Sequence, residues 1–105
     1  MPILSTWGRR SRFSYEGSVE TGTDITYGQG HSVRVEARKY VALRRHFVNR
    51  VVPAGTSRTD PPPGSLGAWL QANVTPTAVA SYVAPILVEE SYAERIGEHD
   101  IRVTR

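Results

Sequence analysis

Trp7-Gly8-Arg9-Arg10-Ser11-Arg12 places three guanidinium groups within four residues, beside an indole. A guanidinium is a planar fork that matches phosphate oxygens and base edges, so Arg9, Arg10 and Arg12 have the chemistry of a basic arm that tracks a DNA minor groove. Twelve of the thirteen basic residues are arginine, Lys39 being the exception. The charge is uneven: residues 1–58 carry ten Lys/Arg against four Asp/Glu, and residues 59–105 three against six, within a net charge of +3 and a pI near 9.7. Contact with nucleic acid accounts for such an excess of arginine. So do the codons of a GC-rich genome, and composition leaves both explanations open.

Other chemistry is thinly represented. His31, His46 and His99 are far apart with no paired spacing, which argues against a metal site. Glu89 and Glu90 are a carboxylate pair, but neighbours on a helix diverge by about 100° and read as a solvated end rather than an acid–base couple. "GTDITYGQG" has glycines without a phosphate-loop pattern. There is no cysteine, hence no disulfide, thiolate ligand or thiol nucleophile. No nucleophile–base–orienter set is visible, so the expectation is a protein that is not an enzyme and needs no cofactor or metal.

The frame around these residues is small. A chain of 105 residues holds one modest core. It has no run of about 18 apolar residues and no apolar leader, so no membrane partner and a cytoplasmic location are expected. Residues 11–35 read as strands and turns, with Phe13/Tyr15, Ile25/Tyr27 and Val33/Val35 alternating; the first ten residues read as a loose arm. Residues 34–51 change period. Tyr40, Leu43, Phe47 and Val51 fall on one side of a helix, and Arg34, Arg38, Arg45 and Asn49 on the other. Pro53 and Gly55 end that helix, and "PAGTSRTDPPPGS" is a proline-stiffened loop. Ser65 caps a short helix anchored by Trp69 and Leu70. Thr75 caps a third, with Pro76 at its first position and Val79, Val83 and Leu87 facing the core to about Glu90. The tail "YAERIGEHDIRVTR" reads as a β-hairpin across a turn at Gly97–Asp100.

The stretch "SLGAWLQANVTPTAVASYVAPILVEESYAERIG", with the helix before it and the hairpin after it, resembles the core of GntR- and MarR-type winged helix-turn-helix regulators. The resemblance covers residues 36–105, carried by Leu87, Glu89, Glu90, Ser91, Tyr92, Glu94 and Arg95 at the helix exit. It implies an α+β winged helix-turn-helix of three helices and a C-terminal β-hairpin wing. Residues 1–35 stand apart as a basic N-terminal arm and β-ribbon. By the same resemblance the third helix enters the major groove with Thr75, Thr77, Ala78, Ser81 and Tyr82, while Arg95 and Arg102 on the wing approach the backbone or minor groove. Three residues depart from the pattern. Ser91 stands where glycine is usual, Pro85 removes the N–H that would bond the Ser81 carbonyl, and the third helix lacks Arg, Lys, Asn or Gln before its end.

The expected function is therefore binding of double-stranded DNA, as a homodimer, by a small transcriptional regulator or DNA-architecture factor. The alternative is a winged-helix adaptor that binds protein rather than DNA, to which the acidic wing tip at Glu98 and Asp100 is suited.

Overall fold

In a computed structural model describing residues 2–105, the elements run β1 (Ile3–Ser5), β2 (Arg12–Ser18), β3 (Gly22–Tyr27), β4 (His31–Val35), α1 (Ala37–Phe47), β5 (Val51–Pro53), α2 (Leu66–Asn73), α3 (Ala80–Glu89), β6 (Ala93–Ile96) and β7 (Asp100–Val103). The first four strands form an antiparallel sheet in sequence order; the last three form a second sheet in the order β5-β7-β6. Register explains the alternation in the first third of the chain. Tyr15 lies opposite Ile25 and Ile25 opposite Val33, so apolar side chains make rows across one face.

That face is covered by the helices. Phe13, Tyr15, Ile25 and Val35 join Tyr40, Leu43 and Phe47 of α1, Leu66 and Leu70 of α2, Val83, Ile86 and Leu87 of α3, and Ile101 and Val103 of β7 in one buried cluster. Each such side chain contributes about 1.5–3 kcal/mol on burial. The inward face of α1 is the one its spacing predicts, and Ser65 Oγ accepts the Ala68 N–H at 3.1 Å as the cap of α2.

The expected winged helix-turn-helix is overturned. The chain is a strand-rich α+β protein, 32% strand against 28% helix, with seven strands in two antiparallel sheets rather than a helix-dominated domain. The physical reason is that the N-terminal strands carry inward aromatics that need a partner surface, and α1 and α3 supply it. Of the expected loose arm, residues 1–10, residue 1 lies outside the described residues and the stretch 3–7 is held in place. Ile3, Leu4 and Ser5 pair with Ser14, Phe13 and Arg12, and Trp7 is buried. Arg34 belongs to β4 and Val51 to an exposed position of β5, so the long amphipathic helix is shorter at both ends. The third helix starts at Ala80 rather than Pro76. Thr75 Oγ1 accepts the Thr77 N–H at 3.3 Å, closing a turn ahead of the helix instead of capping it.

Two glycines hold the proline-rich loop. Gly67 N–H donates to the Ala54 carbonyl at 2.8 Å, and a Cβ on Gly67 would fall on the Gly55 carbonyl. Gly55 itself takes φ +68°, open to glycine without strain. With Gln71 Nε2 donating to the Arg58 carbonyl at 3.2 Å, the loop is pinned against α2 and Arg58 has a defined place.

Candidate functional site: an arginine-lined cleft

The β1–β2 loop is closed on itself before it reaches any neighbour. Thr6 N–H donates to the Ser11 carbonyl at 2.9 Å, and Arg9 N–H to the Thr6 carbonyl at 2.8 Å. Arg9 turns the chain at φ +60°. Trp7 then plugs the loop onto α3. Its backbone N–H donates to the Ser81 carbonyl at 3.0 Å, the acceptor that Pro85 leaves without its helical donor. The loop therefore holds Arg9 and Arg10 beside the first turn of α3.

A second loop and a turn complete the enclosure. Thr56 and Arg58 come from the proline-rich loop, and Arg95, Glu98 and His99 from the β6–β7 hairpin. With Ala78, Ser81 and Tyr82 these residues bound a cleft of about 670 Å³. Arg95 sits at its inner wall. The guanidinium carbon lies 4.0 Å from the centre of the Trp7 ring, while Nε and Nη2 donate to the carbonyls of Gly97 and Glu98 at 3.3 and 2.7 Å. Partial burial and the nearby Arg9 charge pull the Arg95 pKa below its usual value, against the opposing effect of Glu98. The group stays charged at neutral pH, as arginine does.

Four guanidinium groups thus converge from three separate segments with one carboxylate, Glu98, among them. Among the described residues the ion pairs are Arg34–Asp24, Arg38–Glu36 and Arg102–Glu94, and none involves Arg9, Arg10, Arg58 or Arg95. Positive charge this concentrated and this poorly neutralised attracts anions, phosphate above all.

The residues singled out in the sequence divide accordingly. Arg9, Arg10, Ser81, Tyr82 and Arg95 line the cleft. Arg12 opens β2 outside it, and Thr75 and Thr77 lie in the turn before α3, also outside it. Arg102 is spoken for by Glu94 at 3.6 Å. Tyr82, expected to project into a groove, is half-buried. Its ring stacks on Tyr27 at 4.7 Å and meets Phe13 edge-on at 5.2 Å, so the N-terminal sheet covers that side of α3. Arg58 is not singled out in the sequence, and His99 is weighed there only as a metal ligand. Arg58 is the sole basic residue of its loop, a weak signal without knowledge of where the loop packs. Among the described residues no group of three or more His, Asp or Glu side chains is placed to hold a metal ion, and no helix is long and apolar enough to cross a membrane.

Comparison of the chain with protein-family models, with curated proteins and with solved structures finds no match in any of the three.

Proposed function

We propose that this chain binds double-stranded DNA through its phosphate backbone, in the role of a small transcriptional regulator or DNA-architecture factor. The observation that carries the reading is the convergence of Arg9, Arg10, Arg58 and Arg95 on one cleft without ion-pair partners among the described residues. Each guanidinium that meets a phosphate releases condensed counterions, a source of affinity that needs no base contact. Cover over the outer side of α3 by Phe13 and Tyr27 argues for recognition of backbone and shape rather than base edges.

The test is fluorescence anisotropy with a labelled random-sequence duplex at low salt, on the wild type and on the Arg10→Ala/Arg58→Ala variant. Micromolar binding that falls at least tenfold in the double variant supports the reading; binding that survives it places the contact elsewhere, and no binding at all refutes it.

A second reading, a protein-interaction module that docks on a partner or on a second copy of the chain, is favoured by one observation. Val41, Val48 and Val51 are exposed at 43%, 38% and 52% on the flank formed by α1 and β5. Mass by light scattering, compared between the wild type and Val41→Ser/Val48→Ser, tests whether that flank joins two copies.

A further inference from the structure

Arg95 differs from the other three arginines of the cleft. Arg9, Arg10 and Arg58 are exposed, free to meet any passing polyanion. Arg95 is half-buried, its plane fixed over Trp7 and two of its N–H groups committed to carbonyls, and the charge of Arg9 bears directly on it. Arg9 shares with Arg95 the lining of this cleft and of the smaller recess behind it, and an anion shared between the two guanidinium groups offsets their mutual repulsion. Trp7 adds a further mark of an incomplete site: its indole N–H is buried and has no acceptor, the one buried side-chain donor so placed among the described residues. The cleft is also of a definite size. About 670 Å³ lies within the range of pockets that hold a single small molecule, and Tyr82, backed by Tyr27, offers an aromatic surface in its wall.

Granted that the cleft is a phosphate site, we propose that Arg9 and Arg95 form a clasp for the phosphate of one nucleoside-phosphate unit whose base lies against Tyr82. That unit belongs either to a DNA strand or to a free nucleotide. Arg95 presents the remaining edge of its fork, Arg9 closes over the opposite side, and Trp7 sets the plane in which Arg95 is held. Arg10 and Arg58 then serve whatever chain continues beyond the clasp.

Trp7 provides the readout. In a Trp69→Phe background its fluorescence reports on the ring that carries Arg95. Titration with inorganic phosphate and with AMP is expected to change that emission, AMP binding at least tenfold more tightly because the base adds its contact with Tyr82. Arg95→Lys, which keeps the charge and loses the fork, is expected to weaken AMP at least tenfold. Arg9→Gly does the same without disturbing the fold, because glycine accepts the φ of +60° at that position.

Duplexes separate the sources. Tighter binding of a duplex with a 5′-phosphate than of its 5′-hydroxyl counterpart, with a change in Trp7 emission, assigns the clasp to a strand end. Equal binding of the two, with the same emission change, assigns it to a phosphodiester within the strand. Duplex binding while phosphate, AMP and duplex all leave Trp7 unchanged overturns the clasp and leaves the DNA reading standing. AMP binding that needs Arg95, with no duplex binding, keeps the clasp and removes the DNA reading.

Discussion

The backbone N–H of Trp7 donates to the carbonyl oxygen of Ser81 at 3.0 Å across the junction between the β1–β2 loop and α3. Pro85 makes this possible. An ordinary residue there would donate its own N–H to the same oxygen four residues back, and the loop would compete with the helix for one acceptor. The junction matters because Trp7 carries Arg95 on its ring.

Pro85→Ala therefore leaves the fold intact and loosens the loop. The Trp7 amide, although it lies outside any strand or helix, is expected to exchange its hydrogen slowly in the wild type and several-fold faster in the variant. Exchange of the Trp7 amide at the rate of exposed Gly8 in the wild type would show that the junction is not held.

Glu90 ties the N-terminal sheet to the end of α3. Its carboxylate accepts from Tyr15 OH at 2.8 Å and from the Val19 N–H at 2.9 Å. Hydrogen bonds to a charged acceptor contribute about 1.5–3 kcal/mol each, so Glu90→Ala is expected to cost about 3–6 kcal/mol in urea unfolding. Tyr15→Phe removes one of the two and costs about 1.5–3 kcal/mol. A Glu90→Ala variant as stable as the wild type would mean that apolar packing alone joins the two parts.

Alkali should expose the buried tyrosines. Burial, and then the hydrogen bond to Glu90, raises the Tyr15 pKa; burial raises that of Tyr40, opposed by its hydrogen bond with Thr23. The folded state thus keeps protons that the unfolded state releases near pH 10. Stability is full below that pH and declines as pH rises above it. Tyr40→Phe is expected to be less stable at pH 7, since it leaves Thr23 Oγ1 without its partner, yet to lose less on going from pH 9 to pH 11. An equal loss in the wild type and the variant would contradict the assignment.

Ser91 shows how a departure visible in the sequence becomes a structural fact. It ends α3 at φ +65°, the left-handed conformation that glycine adopts freely. Ser91→Gly is expected to raise stability by about 0.5–1 kcal/mol, the relief of the left-handed penalty less the added freedom of the unfolded chain. A variant less stable than the wild type would show that the hydroxyl contributes more than the strain.

Local patterns were legible and distant partnerships were not. The spacing of Tyr40, Leu43 and Phe47, the cap at Ser65 and the alternation of Phe13 with Tyr15 each depend on neighbours within one turn or one strand, and each was read correctly. Trp7 with Ser81, Tyr15 with Glu90 and Arg95 with Trp7 join residues more than seventy positions apart, and no periodicity records such a pairing. For that reason the N-terminal ribbon looked independent, and the winged-helix resemblance of the remainder gave α3 an open face that the first sheet covers. Three of the cleft's four arginines were singled out in the sequence. That they share a cleft depends on loops pinned by Ser81, Gly67 and Gln71, which only the folded chain brings together.

The most direct measurement is the salt dependence of duplex binding, taken between about 50 and 200 mM monovalent salt for the wild type and for Arg58→Ala. If the arginine cleft holds the phosphate backbone, log K falls linearly with log salt by about 0.9 per phosphate contact, and losing Arg58 makes the slope shallower by about one. A binding constant that does not change with salt, or a slope indifferent to Arg58, would contradict the account.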